Sequence, residues 1–371
     1  MTIDSTPWTH HVLIGSLAAA LPGADRIDLG VGHPAHAGIL ELLLAVDDGR
    51  ITAAEPQIGA MHRGVEKLFE VREYRQILML ADRHDWQAPF IGELAAAQLF
   101  ERMMGLPVPP RAAALRVLLA EHARVTAHLG QLTWLAAGTD QETAVRGARE
   151  QLRQVLVEMC GNRVHPMLTR LGGLAVDPSP AAVEELTDAL AHAAHVASEL
   201  AVPEDLHHIA TVPHGAVDAW GLSGPLARAT GVESDLRLID PQYAEVTDLL
   251  RNHADEGDAA ARWRQIIGEI GDSAAIIARL APLVPDGTVE TKLPKIVKLP
   301  EGTDHHLVEG PLGRTGFRVV SRGQKTPWRM KLRSPSFQHV AALGVILPGT
   351  PVARLDAALA SVGWVIGDVD K

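Results

Sequence analysis

A chain of 371 residues with 47% hydrophobic content is long enough for a large buried core and for two packed lobes. Its formal charge of -11 argues against a dedicated nucleic-acid binder, which would carry a basic face. The single cysteine, Cys160, excludes a disulfide framework and any nickel or iron–sulfur centre built from this chain's thiolates alone; the compartment reads as reducing cytoplasm.

Residues 12–21 are apolar, but His10-His11 stand where a signal peptide would carry basic residues, so no signal peptide is read. Residues 40–46 predict a strand and 50–54 its partner; Asp47-Asp48-Gly49 between them supplies the positive φ angles of a tight hairpin. From Ile91 the period turns helical, with Leu94, Leu99 and Met103 near one face and Gly105 as the stop. Pro107, Pro109 and Pro110 lead into the clearest helix. There Leu115, Leu118, Leu119, His122, Val125, Thr126, Leu129 and Leu132 follow the i, i+3, i+4, i+7 pattern, and Gly138 is the expected end. Thr139 with Glu142 predicts a capping box opening a helix to about Cys160. Asp177-Pro178-Ser179-Pro180 reads as a loop, an N-cap and a first-turn proline of a helix to about Leu200. An irregular stretch, 203–241, precedes a helix over roughly 258–280 and a proline-rich connector, 282–300. Strands return at 317–320 and 328–332, split by Arg322-Gly323. In the second, Trp328, Met330 and Leu332 alternate with Arg329, Lys331 and Arg333, giving one apolar and one basic face. That basic face either docks an acidic partner or is solvated or salt-bridged.

The predicted class is α+β: a β-rich segment at 1–88, a helical bundle at 89–282, and a C-terminal β hairpin and tail at 283–371. No stretch reaches the ~18 uncharged apolar residues of a membrane span. Of the 18 histidines, none sits in HExxH spacing, and His122 and His128 lie six apart rather than four. The chain has no dinucleotide fingerprint, P-loop or GxSxG motif.

Two blocks carry a resemblance. The first holds Gly32-His33-Pro34-Ala35-His36-Ala37-Gly38, His62-Arg63-Gly64-Val65-Glu66-Lys67, Tyr74-Arg75-Gln76 and Asp82-Arg83-His84-Asp85-Trp86. The second holds Glu309-Gly310-Pro311-Leu312-Gly313, Lys331-Leu332-Arg333-Ser334-Pro335-Ser336-Phe337 and Gly367-Asp368-Val369-Asp370-Lys371. Segments 111–128, 163–173 and 221–237 agree in order. Together they resemble the D-subunit family of NADH:quinone oxidoreductases (respiratory complex I), relatives of the large subunits of nickel–iron hydrogenases. The resemblance implies a hydrogenase large-subunit-like fold. Hydrogenases hold their metals through two CxxC pairs, because thiolates are soft donors. The corresponding positions here are Asp85, Ala88, Val365 and Asp368, so the likeness is to the branch without metal.

In that branch the emptied cavity is a quinone pocket beside the iron–sulfur cluster of a partner subunit. The implied role is a core subunit of a membrane-associated, complex I-like oxidoreductase and translocase. The chain would hold no cofactor or metal of its own, would take quinone or another acceptor as substrate, and would bind no nucleic acid. B-, C-, I- and H-type subunits are the implied partners. The H-type subunit would provide the membrane contact, placing the chain peripherally on the cytoplasmic face; NADH would be handled by partners. Arg63 and His165 are expected near the partner's cluster, where a cation and an imidazole stabilise the reduced state. On the residues alone, Arg63 pairs with Glu66 or another carboxylate.

The family holds the quinone headgroup between a His of HPxxHG and a Tyr of R-x-D-Y, as hydrogen-bond and proton donors. Here His33 opens the first motif, Ala37 takes the second histidine's place, and His36 stands one position earlier. Trp86 replaces the tyrosine; it keeps a ring and an N–H but gives no proton near neutral pH. His36, His84 and Asp85 are therefore the expected catalytic proton donors, and His33, Gly38 and Trp86 the expected substrate contacts. The family's supporting Asp after the long helix is missing, Gly138 being the nearest match. These departures leave three alternatives: a different acceptor, a catalytically silent scaffold or assembly paralogue of the same fold, and a metal-free subunit of a hydrogenase-related complex.

Overall fold

The hairpin expected around Asp48-Gly49 forms one edge of a four-stranded sheet. Strands β1 (His10–Ile14), β2 (Asp25–Ile27), β3 (Leu40–Asp47) and β4 (Arg50–Gln57) lie in the order β2-β1-β3-β4. Asp48 and Gly49 take φ of 46° and 70°, as a two-residue turn matched to strand twist requires. Strand β4 runs three residues past the predicted 50–54 and includes Pro56, which an edge strand tolerates. The apolar run at 12–21 divides: Val12, Leu13 and Ile14 are buried in β1, while Leu17 and Leu21 are exposed beyond it. The computed structural model describes residues 8–213 and 215–371.

Two short helices, α1 (Val65–Glu70) and α2 (Tyr74–Ala81), follow the sheet, the second opened by a Glu73/Gln76 capping box. The bundle then runs through α3 (Pro89–Met104), α4 (Pro110–Ala136) and α5 (Glu142–Cys160). Next come the two-residue strands β5 (Thr169–Arg170) and β6 (Gly173–Leu174), then α6 (Pro180–Ser198), α7 (Ala216–Trp220), α8 (Gly224–Arg228) and α9 (Ala259–Leu280). Helix α4 is buried on nearly every face, because α5, α6 and α9 all pack against it. Ser179 caps α6 through the Ala182 N–H at 3.2 Å, as its position predicts. The capping box predicted at Thr139 does not form. Thr139 instead donates its hydroxyl to the Ala136 carbonyl at 2.7 Å, closing α4. Glu142, the first residue of α5, accepts the Gly138 N–H at 2.9 Å.

The C-terminal part holds β7 (Gly302–Gly310), β8 (Gly313–Ser321), β9 (Arg329–Arg333), α10 (Pro335–Ala341), α11 (Leu343–Ile346), α12 (Leu355–Val362) and α13 (Ile366–Val369). β7, β8 and β9 form one antiparallel sheet. In β9, Met330 and Leu332 are buried as the alternation predicts. Trp328 is not on that apolar face. It precedes the strand and lies exposed, with the Arg322 guanidinium 3.2 Å from its ring centroid. The basic face is used within the chain: Arg329 meets Glu66 at 3.0 Å and Glu70 at 2.7 Å, and Lys331 meets Glu66 at 3.0 Å.

A continuous apolar cluster runs from β1 to α13. Inside the bundle lies a network of buried charges. Arg228 bonds Glu269 at 2.8 Å and Glu309 at 2.7 Å; Arg237 bonds Glu121 at 3.0 Å and Asp235 at 2.7 Å; Glu269 accepts from His128 at 3.1 Å. Burial opposes ionisation of Glu269, yet Arg228 and His128 hold its carboxyl well below the ordinary range. These pairs tie α4, α8, α9 and β7 together. Among the described residues, no helix is long and apolar enough to cross a membrane.

Candidate functional site

Three segments far apart in sequence meet at one junction: the loop before β3, the turn between α2 and α3, and the tail around α13. Glycine makes the contact possible twice. Gly38 has φ of +88°, and a Cβ there would stand 2.5 Å from Ile366 Cγ2. A Cβ on Gly367 would stand 2.4 Å from the His84 carbonyl oxygen and 2.5 Å from the Trp86 ring. Asp370 fastens the tail by accepting the N–H groups of Gly59 at 2.8 Å and Met61 at 2.6 Å.

His84, Asp85 and Asp368 are buried together at this junction. His84 Nδ1 bonds the Asp368 carboxylate, whose other oxygen accepts from Ser336 Oγ at 3.1 Å. Burial acts to lower the His84 pKa, but the charge and hydrogen bond of Asp368, with Asp85 nearby, raise it. Asp85 accepts only the backbone N–H groups of Gln87 at 3.0 Å and Ala88 at 3.2 Å. Burial and the Asp368 charge push its carboxyl up to about 7. Lys371 is pulled down to about 8, mainly by burial, with Asp368 opposing. The arrangement buries an acid, an imidazole and a carboxylate together, with Asp85 and His84 both titrating above their ordinary values.

The loop histidines differ. His33 donates from Nε2 to the Ala360 carbonyl at 2.9 Å and accepts the Ala35 N–H on Nδ1 at 3.1 Å. Burial pulls it down to about 4, so it is neutral and fully used by the fold. His36 is half-buried and bonds Asp28 through Nδ1 at 2.8 Å. Burial acts to raise the Asp28 pKa, but the Gly30 N–H and His36 bring it below its ordinary value. The carboxylate supporting the histidine thus comes from eight residues before it, not from the end of the long helix.

Trp86 lines a crevice with Phe90, Leu119, His122, Thr126 and Arg163, whose free volume of about 30 Å³ holds one or two waters. Its neighbour Gln87 bonds Arg149, which also reaches the Thr126 carbonyl at 3.1 Å. Arg149 faces a second opening of about 350 Å³ lined by Val31, Gly32 and Thr133. Burial lowers the Arg149 pKa to about 9, with Arg153 adding to the effect.

Arg63 is exposed, and Glu66 is occupied by Arg329 and Lys331. His165 lies 3.4 Å from the buried Asp82. Asp28, Arg149, Ser336 and Asp368 as the partner of His84 were not picked out from the sequence. Asp368 sits at a position noted only for its missing cysteine.

The family described as respiratory-chain NADH dehydrogenase, 49 kDa subunit, matches residues 139–300 and 293–371. The second D-type subunit of the NADH-quinone oxidoreductases of Streptomyces griseus is 41% identical, over 96% of this chain and 95% of its own length. The first D-type subunit of Streptomyces coelicolor is 42% identical over 99% of this chain and 100% of itself. The D-type subunit of Carboxydothermus hydrogenoformans is 32% identical over 93% and 98%.

Proposed function

The chain belongs to the 49 kDa, or D-type, subunit family of NADH-quinone oxidoreductases, and from that premise we propose that it works as a core subunit of a membrane-associated complex I-like assembly in which the three-segment junction forms the acceptor site. The observation that carries this reading is the burial of His84, Asp85 and Asp368 together beside Trp86, where segments from both ends of the chain converge. Reducing a quinone to a quinol adds two electrons and two protons. The electrons would come from an iron–sulfur cluster on a B-type partner, near Arg63 and His165. The protons would come from this chain: one from His36, oriented by Asp28, and one from Asp85, next to His84 and Asp368. The Trp86 ring offers a stacking face and an N–H donor, in keeping with quinone or a related flat acceptor. To admit such a ring, the side chains of the crevice, which encloses about 30 Å³, would have to move apart. C-, I- and H-type subunits would complete the assembly, the last holding it at the cytoplasmic face of the membrane. A hydrogenase-like ancestry of the fold accords with the positions of Asp85 and Asp368.

A second reading, a catalytically silent scaffold, draws on two observations: both His33 nitrogens are used by the fold, and Trp86 gives no proton. The test is to purify the assembly through a tag on this chain and assay electron transfer from NADH to a short-chain quinone. Replacing Asp85 by Asn and His36 by Ala is expected to lower turnover ~100-fold or more at unchanged subunit content, the scale of a lost general acid. Turnover that is undiminished in both variants, or absent in the parent and gained only in Trp86→Tyr, overturns the acceptor site in favour of the scaffold.

A further inference from the structure

A second buried acidic cluster lies between α2, α3 and β5, at the start of the turn that leads into the junction. Asp82, Glu93 and Thr169 are each at least 99% buried. Glu93 accepts the Thr169 N–H on one oxygen at 2.8 Å. Its other oxygen and Thr169 Oγ1 have no hydrogen-bond partner among the described residues, and Asp82 is met only by ion contacts, from Arg83 Nε at 2.8 Å on Oδ1 and from His165 Nδ1 at 3.4 Å on Oδ2. Orphaned buried polar atoms are costly, and a buried carboxyl oxygen left without a partner beside a second buried carboxylate points to something bound there. Glu93 and Thr169 form part of the wall of an open cleft of about 900 Å³.

We propose that Glu93 is a proton-binding site: its carboxyl takes one proton from the cleft onto Oε1 and holds it against the Asp82 carboxylate through internal water. Each group facing it fits. From the end of α2 come Asp82 and Arg83, whose Nε lies 2.8 Å from Asp82. His165 touches Asp82 at 3.4 Å, and Cys160 of α5, pushed up by burial with the Glu93 charge adding, is a thiol. The cleft rim carries Arg75, Arg170, Lys292 and Glu290. Arg75 and Arg170 are turned to backbone carbonyls of Pro294 and Met167, so neither neutralises Glu93. Burial pushes the Glu93 carboxyl up to about 7, with the Thr169 N–H opposing and the Asp82 charge adding. Protonated, Glu93 becomes a donor toward the acceptor-only Asp82, which satisfies atoms on both. A bound metal or ammonium group would instead favour two ionised carboxylates. The proposal is independent of the acceptor reading, since its test involves no quinone and no partner.

The test follows denaturation midpoints of the full-length chain from about pH 5 to about pH 8, with infrared spectra of carboxylic-acid C=O stretches. Glu93 titrates above its ordinary 4.5, so its contribution is complete below that value and is lost as pH rises through about 7. The midpoint gap between the parent and Glu93→Gln should therefore change as pH crosses about 7, and the acid band should lose a component in the variant. Asp82→Asn removes the neighbouring charge and should shift the transition to lower pH. A gap constant across pH, an acid band unchanged by Glu93→Gln, or an Asp82→Asn transition that stays in place overturns the proposal. So does a parent chain with no acid band near neutrality whose midpoint rises on adding magnesium chloride, which marks a cation site.

Discussion

In the helical bundle, the buried carboxylates of Glu121, Asp235 and Glu269 each meet at least one guanidinium; at the three-segment junction, Asp85 and Asp368 have one imidazole, a few neutral donors and the charge of Lys371, which burial itself weakens. Both places are equally dry, so burial alone does not separate them. The supply of fixed positive charge does. Arginine holds Glu121, Asp235 and Glu269 below their ordinary pKa values against burial, and such pairs fix geometry. Without it, Asp85 rises to about 7 and is poised to exchange a proton. Under the proposed function, the contrast fits a framework role for the arginine-paired acids of the bundle and a chemical role for the junction.

The largest effect that would break this contrast comes from Arg228→Met. It strips Glu269 and Glu309 of their shared guanidinium and should cost ~3–5 kcal/mol, measured by chemical denaturation. A loss near zero would mean that the bundle's charges are not needed for the framework. Next is Gly38→Ala, which combines a positive φ with a Cβ 2.5 Å from Ile366 and should cost ~2 kcal/mol. Gly49→Ala also has a positive φ but no neighbour within 4 Å, and should cost less. Equal losses would show that the loop does not press on the tail.

The smallest effect is the most discriminating, because its sign differs between the regions. Asp85 titrates above its ordinary 3.8, so its stabilisation is complete below that value and is lost as pH rises through about 7; His84, also raised, acts in the same direction. Glu269 and Asp235 titrate below their ordinary 4.5 and 3.8, so theirs is present above those values and is lost as pH falls. Hydrogen exchange, corrected for intrinsic rates, should show residues 82–88 and 365–370 losing protection toward alkaline pH and α4 and α9 toward acid. The slope should be at most ~1.4 kcal/mol per pH unit for each group. Loss at the same end of the scale for both would remove the distinction.

Local physics was readable wherever a short signal decides the outcome: Asp48-Gly49 fixes a turn, the 3.6 period fixes α4, and Ser179-Pro180 starts α6. What failed depended on partners. Strand β7 was missed because Asp304, His305 and His306 interrupt its apolar pattern, and only pairing with β8 makes it a strand. Trp328 fits the alternation yet lies outside the strand. At the site, the convergence of His84, Asp85 and Asp368 rests on motif order, which marks positions and not contacts. Asp28 carries no motif at all, and only a loop folding back on itself brings it to His36. The bundle's charge pairs join residues from Glu121 to Glu309, and no spacing rule announces them.

The bond from His33 to Ala360 joins positions 327 apart, and that from Gly59 to Asp370 joins positions 311 apart. A ribosome must therefore deliver almost all of residues 33–370 before the early loop can settle. Long-range closure of this kind is slow and leaves unfinished surface exposed meanwhile. Any companion that grips the closed loop and tail at once therefore binds only chains in which both segments have been made and brought together.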